Sequence, residues 1–127
     1  MGPYMYETVI AMEDKRFESH EGVDWLRTTS SAVRSFLSKF IPKLTVQGGS
    51  TITQQLIKNL TGEDDVTLVR KFNEITYALN LEKNYEKTEI AEAYLNTIYL
   101  GENCYGVQTA AEKYLGKIDD DLNLAEC

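Results

Sequence analysis

The sequence predicts an all-α or nearly all-α domain, and three features of its 127 residues support this fold class. Apolar residues recur at the three- and four-residue spacing of helices in successive segments. The alternation of apolar and polar residues that marks half-buried strands is not found. Glycines at positions 101 and 116 follow two of the periodic segments, where helices commonly end. The length fits one domain, spanning 1–127.

The first two predicted helices precede the middle of the chain. From Tyr4 to about Ser19, apolar side chains fall within one arc of a helix, and Glu13 lies in the middle of that arc. A second periodic segment, residues 33–44, carries apolar residues on one face and contains Pro42, which limits its regularity.

A third helix is predicted to begin at Thr51. Thr51 and Gln54 have the spacing of a capping box, in which each residue satisfies a backbone N–H of the other. The predicted buried stripe is Ile52, Leu56 and Leu60. The polar stripes pair Gln54 with Lys58 and Gln55 with Asn59.

Three further helices are predicted in the second half of the chain. The first has near-ideal core spacing at Leu68, Phe72, Ile75 and Leu79. The other two span 86–100 and 107–115, and each is followed by a capping glycine.

The charge distribution separates one cationic region from an acidic protein. The net charge of −7 argues against nucleic acid as a partner. Between Trp25 and Gly62 there is no Asp or Glu, although five cations lie there: Arg27, Arg34, Lys39, Lys43 and Lys58. Residues 32–46 are therefore basic and amphipathic, which fits either a helix in a membrane interface or a core helix with a solvated basic edge.

The ends of the chain predict a fragment truncated on both sides. No apolar run has the length of a membrane span, and the start lacks the layout of a signal peptide. Residues 122–127 have the pattern of a helix that begins there. Cys104 and Cys127 have neither metal-site nor disulfide-framework spacing, so we expect Cys104 to be a structural thiol.

Glu13 is the first candidate for chemistry, because a carboxylate in an apolar arc is costly unless it is paired or functional. His20 lies seven residues later, on nearly the same face if the helix extends that far. A Glu13 side chain that turns outward or pairs with Arg16 fits the spacing equally well, so both interpretations stay open.

A second candidate is the glycine pair Gly48-Gly49. Glycines before a helix can bring backbone N–H groups and the helix dipole to a phosphate, and Lys58 lies where it could reach the same anion. An ordinary turn before a capped helix is the common alternative. Arg70 and Glu74 lie four residues apart, which by default predicts a modest surface ion pair.

Longer segments resemble the signatures of one enzyme family. Residues 13–24, EDKRFESHEGVD, are similar to the first signature of the family 51 glycosyltransferases, found in class A penicillin-binding proteins and monofunctional transglycosylases. Residues 47–59, QGGSTITQQLIKN, resemble the second signature nearly letter for letter. Residues 70–74 resemble the third and parts of 89–117 the remaining ones. Asn73 departs from the family, which often has a basic residue there.

The resemblance implies a lysozyme-like helical fold with a small jaw next to the membrane, formed here by residues 25–46. It also implies a location on the extracytoplasmic face of the bacterial cytoplasmic membrane, with the anchor outside this chain. The residues expected to contact the membrane are Phe36, Leu37, Phe40 and Ile41.

The implied activity is polymerisation of lipid II into β-1,4 glycan strands, with inversion and release of lipid diphosphate from a lipid-linked glycan strand. Glu13 would be the general base. Glu74 would orient cations or help to hold a divalent metal, expected to be Mg²⁺. The residues expected to bind substrate, or an inhibitor of the moenomycin type, are Asp14, Phe17, His20, Ser50, Gln54, Gln55, Lys58, Asn59, Arg70 and Lys71.

Two alternatives share parts of this pattern. A lysozyme-like hydrolase or lytic transglycosylase would use Glu13 as a protonated acid. A non-catalytic module at the membrane surface would bind lipid II without polymerising it.

Overall fold

The computed structural model describes residues 2–38, 40–41, 48–62 and 67–127, apart from the side chains of residues 35 and 36. No strand is present in that part of the chain, where Tyr99 and Tyr105 form only an isolated antiparallel bridge. The predicted all-α fold class is therefore confirmed. The described residues form six α-helices: α1 (Met5–Glu13), α2 (Trp25–Ser38), α3 (Ile52–Thr61), α4 (Leu68–Asn84), α5 (Lys87–Thr97) and α6 (Val107–Leu115).

Helix α3 lies at the centre of the fold and packs against both α4 and α5. Helices α1 and α6 pack against α5 in turn. Burial of apolar side chains between these helices is the main stabilising contribution to the fold. The core consists of Met5, Val9, Phe17, Ile52, Leu56, Ile90, Ala91, Tyr94, Leu95, Ala111 and Leu122.

Helix α1 ends at Glu13, so the predicted continuation to Ser19 is wrong. The next residue, Asp14, leaves the helical conformation with φ −152° and has 0% of its surface exposed. Its carboxylate accepts a hydrogen bond from the Ile52 backbone N–H, which turns the chain toward α3. A short 3-10 turn, Phe17–Ser19, follows.

The predicted capping box at the start of α3 is confirmed. The Gln54 N–H donates to Thr51 Oγ1 (3.1 Å), and the Thr51 N–H donates to Gln54 Oε1 (3.0 Å). Ile52 and Leu56 are buried as predicted, but Leu60 is exposed. Burial ends at Ile57, so Leu60 in the last turn lies beyond the packed part of the helix.

The predicted apolar face of α4 is only partly buried. Leu68 is 91% exposed and Phe72 is 69% exposed, and Ile75 and Leu79 are half-buried, whereas Glu74 and Ala78 are buried. A Cβ atom on Gly22 (φ +86°) would lie 2.6 Å from the Ala78 carbonyl oxygen, so the chain before α2 approaches the α4 backbone directly. The small Ala78 side chain permits this approach, which an apolar spacing rule does not indicate.

The remaining helices differ from prediction mainly at their ends. Helix α5 starts after Glu86 and ends at Thr97, so it is shorter than the predicted 86–100. Gly101 (φ +87°) lies in the following loop and does not cap the helix. Helix α6 spans 107–115 as predicted and ends at a left-handed Gly116.

Helix α2 covers the first part of the predicted jaw. Leu37, Phe40 and Ile41 are exposed. The side chain of Phe36 and residues 39 and 42–46, also parts of the predicted jaw, lie outside the described residues. None of the described helices is both long and apolar enough to cross a bilayer.

Candidate active site

Glu13 stands at the end of α1, between two clefts. On one side is a largely apolar cavity of about 480 Å³, lined by residues of α1, α5 and α6 that include Tyr94. On the other side is a more polar cleft of about 300 Å³ that also contains Lys15, Arg16 and Arg27. The carboxylate is partly exposed. It is therefore accessible to a ligand from two directions.

The Glu13 carboxylate is held by a neutral amide. Gln55 Nε2, on α3, donates to Glu13 Oε2 at 3.3 Å. The Tyr94 hydroxyl, on α5, donates to Gln55 Oε1 at 3.1 Å. Tyr94 is 1% exposed, and burial together with the negative charge of Glu13 raises the pKa of its hydroxyl to about 12. Tyr94 is therefore protonated throughout the physiological range.

Asp14 and Phe17, both expected to bind substrate, have no exposed surface. Asp14 Oδ2 accepts from the Ile52 N–H (3.1 Å) and lies 2.9 Å from His20 Nε2. The sequence predicted that Glu13 and His20 share one face of a long helix. In the structure the helix ends at Glu13, and His20 contacts the neighbouring residue Asp14 instead. We infer that these side chains support the site from within the fold.

Arg27 joins the end of α1 to the loop before α3. Its Nη1 donates to the Glu13 backbone carbonyl (2.7 Å), and its Nε donates to the Gly48 carbonyl (3.1 Å). Nη1 also lies 3.7 Å from Asp14 Oδ1. Arg27 was not among the predicted site residues, because the only signal for it was membership of the acid-free stretch.

Three backbone N–H groups at the start of α3 are bonded within the protein. The N–H groups of Thr51, Ile52 and Gln54 donate to side chains of this chain. These three groups are therefore not available to a phosphate, whereas the expected phosphate site at the glycine pair stays a prediction. Gln54, expected to position substrate, is fully buried in the capping box.

A second cluster links α4 to the segment before α3. Glu74 is 5% exposed and lies 3.0 Å from Arg70 Nη1 and 2.5 Å from Lys71 Nζ. Lys71 Nζ also donates to Ser50 Oγ at 3.2 Å. The Arg70–Glu74 pair is therefore more than the surface ion pair that its spacing predicted by default.

Lys58 and Arg70 line one small cleft between α3 and α4, of about 10 Å³, together with Asn73 and the Glu74 carboxylate. This volume holds no more than about one water molecule, so an anionic ligand of these two cations would bind at the mouth of the cleft. Asn59, the other predicted donor-binding residue, is exposed on α3. Gln55 and Lys58 lie three residues apart, a rise of about 4.5 Å along the helix axis, so α3 carries groups for both clusters.

The residues around Glu74 do not fit a Mg²⁺ ion. Both carboxylate oxygens of Glu74 already bond to cationic side chains. Mg²⁺ requires several oxygen ligands, and the positive charges of Arg70 and Lys71 would repel it. Across the described ranges, no three His, Cys, Asp or Glu side chains are grouped as metal ligands. No catalytic step is therefore assigned to a metal.

Tyr94 was also missed as a site residue. It lies within the stretch 89–117 that resembles the family signatures, but its position on α5 faces the core. Helical spacing alone assigns such a residue to packing, so only the three-dimensional contact with Gln55 shows its connection to Glu13.

The whole chain, residues 1–127, matches the family model described as Transglycosylase. It is 44% identical over 126 residues to penicillin-binding protein 2D of Bacillus subtilis (strain 168), which covers 99% of this chain and 18% of that protein. It is 46% identical over 118 residues to penicillin-binding protein 1A of Clostridium perfringens (strain 13 / Type A), covering 93% of this chain and 17% of that protein.

A third relative, penicillin-binding protein 1F of Bacillus subtilis (strain 168), is 42% identical over 120 residues, which are 94% of this chain and 16% of that protein. The chain thus spans less than one fifth of the length of these relatives. Because the family model matches all of its residues, the chain belongs to the transglycosylase family.

Proposed function

We propose that this chain is the catalytic part of a peptidoglycan glycosyltransferase that polymerises lipid II, with Glu13 as the general base. The observation that carries this proposal is the position of Glu13. Its carboxylate faces two clefts, is oriented by the neutral Gln55 amide, and lies beside the helix that carries Lys58. A neutral amide orients the carboxylate without placing a counter-charge on it.

The proposed reaction joins two lipid-linked substrates. The 4-hydroxyl of the acceptor sugar attacks the anomeric carbon of the donor glycan while its proton passes to Glu13. The bond between that carbon and the lipid diphosphate breaks, so configuration inverts and a β-1,4 linkage forms. Lipid diphosphate leaves with the bonding electron pair.

The leaving diphosphate requires charge stabilisation more than protonation, since it is already a good leaving group. Lys58 and Arg70 border one cleft and are proposed to bind its oxygens. Lys71, bonded to Ser50 and Glu74, adds a third cation on the same side of α4. A phosphoglycolipid inhibitor of the moenomycin type is proposed to bind the same cations.

We also propose that α2 contacts a membrane, on its extracytoplasmic side. Leu37 of α2, and Phe40 and Ile41 just after the helix, expose apolar surface, which supports an interfacial segment over a core helix in the described part of the jaw. In the full native protein, changing Leu37 and Phe40 to Ser is expected to weaken binding to anionic liposomes while the melting temperature is unchanged. A fall in melting temperature with unchanged binding contradicts this membrane contact.

The proposed activity is tested with the full native protein and labelled lipid II. Glycan chains resolved on a gel are the expected product. Incubation with finished peptidoglycan is the second arm, because a hydrolase or lytic transglycosylase would cleave it. Cleavage without polymer formation contradicts the proposal, and so does lipid II binding without either reaction.

A further inference from the structure

Three helices each contribute one residue to a continuous hydrogen-bonded line that ends at Glu13. Tyr94 of α5 donates to Gln55 of α3, which donates to Glu13 of α1, over 3.1 and 3.3 Å. Tyr94 is in the core, Gln55 is half-buried, and Glu13 faces the clefts. The chain of hydrogen bonds therefore connects the packed core to the clefts where a ligand would bind.

The chemistry of the three groups gives this line one direction. An ionised carboxylate accepts hydrogen bonds and cannot donate one, so the NH₂ end of the Gln55 amide must face Glu13. The carbonyl end then faces Tyr94, whose hydroxyl must donate. The carboxylate of Glu13 therefore selects the amide orientation, and the Tyr94 hydroxyl supplies the donor that matches it.

We propose that Gln55 and Tyr94 are positioning residues: Tyr94 fixes the Gln55 amide, and Gln55 orients the Glu13 carboxylate toward the acceptor hydroxyl. This rests on the proposed role of Glu13 as the base. Gln55 occupies Oε2, while Oε1 makes no hydrogen bond to another residue within the described part of the chain. Oε1 is thus the atom left to receive a proton.

This assignment changes the expected role of Gln55. A residue that positions the donor would act on substrate binding, whereas a residue that orients the base acts on the chemical step. Tyr94 separates the two roles, because its hydroxyl donates to Gln55 and the residue, which borders the apolar cavity, has only 1% of its surface exposed for contact with a substrate.

The deciding variant is Tyr94→Phe in the full native protein, assayed with labelled lipid II. Phe keeps the ring that fills the core and removes only the hydroxyl. We expect kcat to fall roughly ten- to a hundred-fold, as misoriented catalytic groups do, with KM for lipid II unchanged. Tyr99→Phe is the matched control, since Tyr99 is exposed just beyond the same helix, and it should keep native kcat.

Gln55→Ala and the double variant Gln55→Ala/Tyr94→Phe complete the test. If Tyr94 acts through Gln55, the double variant has the same kcat as Gln55→Ala alone. Native kcat in Tyr94→Phe overturns the proposal, and so does a raised KM with unchanged kcat in Gln55→Ala. Should Tyr94→Phe fail to fold, Gln55→Ala decides by the same split between kcat and KM. A native protein that makes no polymer instead overturns the proposed function.

Discussion

The two candidate catalytic carboxylates, Glu13 and Glu74, have opposite surroundings. Glu13 accepts one hydrogen bond from a neutral amide and faces two clefts. Glu74 is 5% exposed and is bonded to both Arg70 and Lys71. The first carboxylate has an oxygen left for a substrate, and the second has both oxygens engaged by cations.

The different surroundings of Glu13 and Glu74 show how two glutamates in one fold can suit two different roles. A base needs a carboxylate that can accept a proton and then release it. A carboxylate with one oxygen bonded to each of two cations has neither oxygen left for a substrate hydroxyl. Glu74 instead fixes the side chains of Arg70 and Lys71 on the side of α4 that faces Lys58 and Ser50.

The sharpest test of this comparison is Glu13→Gln. Loss of a general base typically costs 10²- to 10⁴-fold, so polymerisation by the full native protein should fall by about this factor while the melting temperature stays constant. Glu7→Gln, an exposed change on the same helix, is the control. An active Glu13→Gln variant removes the proposed mechanism.

Lys58→Ala tests the cationic side of the comparison. Loss of one charge-stabilising donor lowers turnover about 10²- to 10³-fold, which overlaps the effect of base loss, so affinity is the useful readout. Binding of a moenomycin-type phosphoglycolipid should weaken in Lys58→Ala and stay unchanged in Glu13→Gln. Lys83→Ala, an exposed change near the end of α4, should match the parent. Unchanged affinity in Lys58→Ala would transfer the phosphate role to Arg70 or Lys71.

Glu74→Gln is expected to act on stability and ligand affinity together. The change leaves two cations without their shared counter-charge, and hydrogen bonds to charged groups contribute about 1.5–3 kcal/mol. The melting temperature should fall and inhibitor binding should weaken, whereas Glu13→Gln changes neither. Full loss of turnover at native stability and affinity would show that Glu74, like Glu13, acts directly in the chemical step.

Arg27→Ala gives the smallest expected effect on turnover. Without Arg27, the Glu13 backbone carbonyl and the Gly48 carbonyl lose the donor that joins them. We expect a several-fold loss in kcat, because the Glu13 carboxylate and its Gln55 partner remain in place. Arg34→Ala on the same helix is the control, since Arg34 is exposed. Equal rates for the two variants would show that Arg27 has no influence on the site.

Features that depend on local sequence were predictable. The Thr51–Gln54 capping box and the bounds of α6 follow from spacing and turn chemistry, and the structure confirms both. The Arg70–Glu74 pair also follows from its four-residue spacing. In each case the interacting groups lie within one helical turn of one another, or the residue type itself sets the backbone conformation.

Features that depend on packing between distant segments could not be predicted from the sequence. Gln55 and Glu13 are 42 residues apart, and Arg27 and Gly48 are 21 apart, so no periodicity relates them. Helix α4 shows the same limit, because Ala78 packs against Gly22 while Leu68 and Phe72 stay exposed. The small side chain of Ala78 lets the backbone at Gly22 approach α4, and this contact, more than the most apolar stripe, determines which face of α4 is buried.

The bond between Asp14 and the first N–H of α3 has a consequence for how a strand would be made. It ties the residue after Glu13 to the helix that carries both Gln55 and Lys58, so one buried carboxylate helps to set the spacing between the proposed base and a proposed diphosphate-binding cation. For a polymerase of the proposed kind, that spacing is a template for the distance between the acceptor hydroxyl and the departing diphosphate.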